Sequence, residues 1–193
     1  MMSSKRGRPR DPNTQKSILV ASYELLLLHG FKGVTVDKIA EHAGVSKATI
    51  YKWWPNKAAV VMDGFLDAAT ERLPVPDSGN VFEDVLIHAT NLCRFMVSQE
   101  GHMIAAIIGE GQVDPILMEA CRTRYILPRR SEALTILHKG IERGELRQGL
   151  DLAICVDLIY GPLFYRLLVT GEPLQDTFVK QLVEAAFYGL KHR

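Results

Sequence analysis

The sequence predicts an all-α protein, a small basic helical head followed by a larger helical body. Three observations carry this. Apolar residues recur at helical spacing between short Gly, Pro, Asn and Asp punctuation, and nothing reads as a strand ladder. Hydrophobic residues make up 47% and charged residues 23% of the 193-residue chain, which suits a packed core and argues against disorder. Charge is also uneven: residues 1–60 hold ten Lys/Arg against four Asp/Glu, and residues 61–193 hold thirteen against eighteen. The net charge of +1 hides this asymmetry, which turns the head toward phosphate or an anionic surface.

The elements follow in chain order. Residues 1–12 form a basic arm in which KRGRPR places Arg6 and Arg8 around Gly7, with Pro9 keeping the segment extended. Such an arm suits a narrow A·T-rich minor groove, whose negative potential attracts arginine. A first helix runs from Asn13 or Thr14 to His29, with Ile18, Leu19, Ser22, Leu25, Leu26 and Leu28 on its apolar side and Gly30 ending it. Thr35 caps a short helix whose face is marked by Val36, Ile39, Ala40 and Ala43, and Gly44 stops it. Ser46 caps the next, which ends at Trp53–Trp54 before Pro55; Asn56 caps a fourth, reaching about Arg72. LPVPDSGN at residues 73–80 reads as a linker. Beyond it, helices are expected near 81–99, 102–111, 115–143 with a break around Pro128, 151–169 and 177–191. The expected units are the arm at 1–12, a head at 13–60 and a body at 61–193.

Two short helices joined at Gly44 make a helix-turn-helix. Turning about 100° per residue from Ile50, Ala48 and Lys52 fall on the opposite side, flanked by Thr49 and Tyr51, while Trp54 returns to the Ile50 side. Trp54 is therefore expected in the core, and Trp53 lies near the edge of the packed face. Small Ala48 allows close approach to base edges, and Lys52 can donate to guanine O6 and N7 in a major groove. Lys47 is a further DNA-contact candidate. Thr49, Tyr51 and Lys57 carry donors suited to phosphate oxygens, and Thr35 and Ser46 sit at helix N-termini, which favour anions.

Residues 13–60, above all GVSKATIYKWWPNK, resemble the DNA-binding domain of the tetracycline-repressor (TetR) family of transcription regulators. Members usually carry phenylalanine where Trp54 stands and often histidine or arginine where Trp53 stands. GPLFYRLLVTGEPL, residues 161–174, resembles the C-terminal domains of one subgroup. The resemblance implies a sequence-specific regulator of double-stranded operator DNA, a repressor released by a small-molecule effector held in the helical body. It further implies a homodimer held by the last two long helices, with Leu158 and Leu182 as interface candidates. Pocket candidates in the body are Phe95, Met96, His102, Met103, Ile107, Cys121, Tyr125, Phe164 and Tyr165.

Other classes fare less well. No glycine-rich phosphate loop, G-x-S-x-G elbow or H-E-x-x-H is present, so no catalytic residue, cofactor or metal is expected. Cys93, Cys121 and Cys155 are odd in number and widely spaced, consistent with reduced thiols in the cytoplasm. Residues 152–171 approach membrane-spanning length, but Asp157, Pro162 and Arg166 lie inside, and a mid-span charge costs about 2.5–3.5 kcal/mol. A helix packed against other helices is the better reading. A DNA-binding regulator or architectural protein without an effector remains the alternative function.

Overall fold

The computed structural model describes residues 12–69 and 74–190, so Arg6 and Arg8 of the arm lie outside the described residues. The described residues contain no β-strand. The chain divides into two compact units between Ala68 and Ala69.

The head contains α1 (Pro12–Gly33), α2 (Val36–His42), α3 (Lys47–Tyr51) and α4 (Lys57–Ala69). Gly30 breaks α1 as expected, at φ 64° and ψ 172°, a conformation open to a residue without Cβ. A further turn then reaches Gly33 and buries Phe31. Thr35 caps α2 by accepting from Lys38 N–H, and Ser46 caps α3 by accepting from Thr49 N–H. Regular α3 stops at Tyr51, short of the expected Trp53–Trp54, although the N–H groups of both tryptophans still reach the Ile50 carbonyl at 3.0 and 3.1 Å. Asn56 caps α4 by accepting from Ala59 N–H at 2.8 Å. Ile18, Leu26, Ile39, Ile50, Val60 and Phe65 are essentially sealed from solvent and form the core of this unit.

Placing α4 in the head moves the boundary from the expected residue 60 to 68. The reason is packing. Ser22 Oγ donates to the Val60 carbonyl, and Gly64 lies so close to α1 that a Cβ there would stand 2.1 Å from Ser22 Oγ. Trp54 Nε1 donates to Asp63 at 2.7 Å, tying α4 to the segment that follows α3.

The body contains α5 (Val81–Met96), α6 (Gln99–Gly111), α7 (Pro115–Cys121), α8 (Leu127–Glu142), α9 (Leu152–Tyr165) and α10 (Asp176–Leu190). α5 packs against α10 and α8, and α8 against α9. Side chains of Asn80, Ser98, Asp114 and Asp151 cap α5, α6, α7 and α9 by accepting backbone N–H groups in the first turn. The Ser98 cap explains why α5 ends at Met96 and α6 begins at Gln99, where a continuous helix to 99 was expected.

The expected helix 115–143 is divided by a π-helical turn at Arg122–Ile126, where Leu127 N–H reaches back to the Arg122 carbonyl. Pro128 follows at once. It lacks an N–H, and its ring would crowd the carbonyl one turn earlier in a regular helix, so a widened turn there relieves both defects. A second π turn, Arg166–Thr170, continues α9 and closes with Gly171 N–H on the Arg166 carbonyl at 2.9 Å.

The stretch Leu152–Thr170 is long and apolar enough to cross a membrane by length and composition, and only 28% of it is buried within this chain. An outward face holding Ile154, Leu158, Tyr165, Leu168 and Val169 finds no cover in the single chain, on the helix expected to take part in a homodimer interface. Its two charges are engaged: Asp157 pairs with Arg130, and Arg166 donates to the Pro173 carbonyl and lies over the Phe178 ring.

Candidate functional site

Two places in the molecule gather the expected functional side chains. The first is α3. Ile50 is its one buried residue, Ala48 and Lys52 lie on the opposite side, and they are exposed together with Lys47 and Tyr51. The helix is held at its N-terminus by a local lock: Ser46 Oγ accepts from Thr49 N–H and shares a second hydrogen bond with Thr49 Oγ1 at 2.9 Å. Lys47 Nζ reaches Asp37 of α2 at 2.8 Å, and this partner raises the lysine pKa through its hydrogen bond. Thr35 is exposed at the N-terminus of α2.

Lys57 is placed apart from that stripe. Its ammonium donates to the Phe31 carbonyl at 3.0 Å and lies 3.9 Å above the Phe31 ring, so it fastens α4 to the end of α1. The two tryptophans diverge. Trp54 is 2% exposed and hydrogen-bonded to Asp63, the core role expected of it. Trp53 packs edge-on against it at 5.6 Å, half-buried, with Nε1 enclosed and meeting no acceptor.

The second place is a cavity of about 200 Å³ in the body, walled by His88 and Leu92 of α5, Tyr125 and Ile126 of the π turn, Arg129, Arg130 and Ala133 of α8, and Val156, Asp157, Tyr160, Gly161 and Phe164 of α9. The π turn brings Tyr125 and Ile126 side by side onto the wall. Inside, His88 Nδ1 lies 2.7 Å from the Tyr160 hydroxyl, and His88 Nε2 faces Glu132 at 3.6 Å. Burial lowers the His88 pKa despite Glu132, and burial raises that of Tyr160, so both are neutral at physiological pH. Arg129 pairs with Glu132 at 2.8 Å, and Arg130 pairs with Asp157.

Of the nine pocket candidates, this cavity takes Tyr125 and Phe164 only. Phe95, Met96, Ile107 and Cys121 are buried in the core, and Met103 is half-buried outside the cavity wall. His102 is exposed and turns back to the Ser98 carbonyl, while Tyr165 is 58% exposed on the outer face of α9. Helix phase separates them: Tyr160 and Phe164 share one side of α9, and Tyr165, one residue on, turns away. All three cysteines are buried, and burial raises each thiol pKa, that of Cys121 to about 11. None is an activated thiolate.

The sequence reading passed over His88. Its signal was available, since His88 continues the apolar series Val81, Val85 and Leu92 on one face of α5. Tyr160 similarly stands between Val156 and Leu163 on the buried side of α9.

Comparison with known proteins decides the family. Residues 75–186 match the tetracyclin repressor-like C-terminal domain, and residues 18–62 match the bacterial regulatory proteins, tetR family. The chain is 60% identical over 190 residues to the HTH-type transcriptional regulator YdeS of Bacillus subtilis (strain 168), covering 98% of this chain and 96% of that protein. The chain belongs to the TetR family. It is a helix-turn-helix DNA-binding transcriptional regulator, and TetR-family regulators are not an enzyme class. The solved TetR-family transcription regulator SCO0332 superposes with a TM-score of 0.80 at 35% identity, covering 92% of this chain and 98% of that one. The DNA-binding transcriptional repressor TetR of Mycobacteroides abscessus is 28% identical, covering 91% of this chain and 92% of that protein. These TetR-family matches include both the helix-turn-helix and the helices that wall the cavity.

Proposed function

We propose that this TetR-family protein is a homodimeric repressor that reads operator DNA with α3 and leaves it when a small molecule enters the body cavity. The observation that carries the reading is the exposed stripe on α3, whose backbone is fixed by the Ser46–Thr49 lock and whose far side is pinned by Ile50. Ala48 and Lys52 meet base edges in a major groove, and Thr35, Ser46, Lys47, Thr49 and Tyr51 meet phosphate oxygens around them. Lys47 must share or exchange its Asp37 partner to do so. The arm residues Arg6 and Arg8 extend the contact into the adjacent minor groove.

The uncovered face of α9 supports the proposed dimer. Leu158 is 57% exposed and Ile154 56% exposed, while Tyr188 of α10 is 92% exposed. A second copy of the chain covers this face, which makes an isologous interface and two reading heads. Leu182 is half-buried beside Val179 and Val183, so it belongs to the interface rim. A protein that works on the chromosome in this way acts in the cytoplasm.

Selection from random duplex DNA by the purified protein, with the mass of the complex measured by sedimentation, tests this. A near-palindromic site bound by two copies is expected, with half-sites about 34–36 Å apart or a multiple of that. A single half-site bound by one copy overturns the dimer, and an unselected pool overturns specific reading.

A further inference from the structure

The cavity's electrostatics define what it can hold. Both guanidinium groups on its wall already have carboxylates, Arg129 with Glu132 and Arg130 with Asp157. An anionic ligand would therefore find no uncompensated positive charge, and burying a charge without a partner is strongly unfavourable. A cationic ligand would find both carboxylates engaged in the same way.

Two tyrosine hydroxyls, those of Tyr125 and Tyr160, belong to the wall, and Tyr160 is the one whose proton direction is fixed by a hydrogen bond to His88. With His88 neutral and Nε2 facing Glu132, the imidazole proton belongs on Nε2, and Nδ1 accepts from the Tyr160 hydroxyl. The Tyr160 proton is thus committed to His88, while its oxygen keeps a lone pair able to accept from a donor in the cavity. The remaining wall is made largely of apolar groups such as Leu92, Ile126, Val156 and Phe164. An apolar cavity of about 150 Å³ holds a benzene ring, so one of about 200 Å³ holds a ring with a short tail.

We propose that the cavity takes a small neutral molecule, a single ring with a short apolar tail and one hydrogen-bond donor, and that Tyr160 accepts that donor. This rests on the cavity being the effector site. Tyr160 acts here as a specificity-determining residue, and His88 and Glu132 are positioning residues that fix which way its proton points.

Calorimetry of the full-length protein with 4-propylphenol, 4-propylbenzoate and 4-propylanisole at neutral pH tests the class without any variant. The phenol should bind at least about tenfold more tightly than the carboxylate, which must be buried unpaired, and more tightly than the ether, which has no donor. Tyr160→Phe should bring the phenol down to the ether's affinity and leave the ether unchanged, which also reports that the variant is folded. Ala133→Phe, filling the cavity, should abolish binding of all three. A carboxylate that binds as tightly as the phenol overturns the proposed class and leaves the cavity as an effector site for acids. Phenol binding that survives Ala133→Phe overturns the assignment to this cavity. If none of the three binds, the class is overturned, and a broad thermal-shift library then separates the two readings. Hits of other chemistry spare the effector role, and a blank library removes it.

Discussion

In the head, Ala48, Tyr51 and Lys52 stand in water on a five-residue helix whose one buried side chain is Ile50. In the body, His88 and Tyr160 are almost sealed, hydrogen-bonded to each other beneath a wall of apolar side chains. The difference is one of what each polar group has already satisfied. The stripe on α3 keeps Lys52 and Tyr51 in solvent, where they can exchange water for a polyanion at small desolvation cost. In the body, His88 is hydrogen-bonded to Tyr160 and both wall arginines face carboxylates, so a newcomer meets few polar groups that are not already engaged. On the proposed reading, an exposed DNA contact gains affinity from charge, whereas the body cavity would gain selectivity from excluding it.

The largest effects should come from breaking the packing under the stripe. Trp54→Ala removes a buried ring and the Asp63 hydrogen bond, and should cost about 3–5 kcal/mol of stability with loss of DNA binding. Trp53→Phe, one residue away, deletes an enclosed donor that has no acceptor, so thermal melting should be unchanged or slightly raised. Equal losses in both would show that the two tryptophans share one role.

Next in size is assembly. Leu158→Glu puts a charge on the exposed apolar face of α9, and sedimentation should move from dimer to monomer with operator binding lost although the head is untouched. A dimer that persists in this variant would place the interface elsewhere.

A smaller effect sharpens the contrast from the body's side. Burial lowers the His88 pKa from its ordinary 6.5, so the unfolded chain binds that proton more readily than the folded one. Stability from this group is fully present above pH 6.5 and declines as pH falls from there through the lower folded value. Urea melts of wild type should therefore lose stability more steeply just below pH 6.5 than melts of His88→Gln, which has no proton to take up. Parallel curves would mean that His88 is not held neutral by burial. Smallest of all, Lys47→Ala removes an exposed pair with Asp37 and should leave melting unchanged.

Much of the head was legible in the sequence because its signals are local. Caps at Thr35, Ser46 and Asn56, and the positions of Ile50 and Trp54 relative to Ala48 and Lys52, follow from helical geometry within a few residues. Lys57 was not legible in the same way, since its partner is the Phe31 carbonyl across the unit. The cavity was the least legible. Its wall draws on α5, α8, α9 and a π turn, and composition alone favoured Met, Phe and Cys residues, of which Phe95, Met96 and Cys121 fill the core instead. A widened turn before Pro128 shifts the helical phase, so counting residues along 115–143 could not tell which side Tyr125 takes.

The base-reading role of α3 is tested most directly by repeating the DNA selection with Lys52→Ala beside wild type and Lys47→Ala. Lys52→Ala should lose information at one base position in each half-site and weaken the preferred sequence by about 1–3 kcal/mol per half-site, while Lys47→Ala keeps the same motif and weakens all sequences alike. Identical motifs and affinities for wild type and Lys52→Ala would contradict base reading by this face of α3.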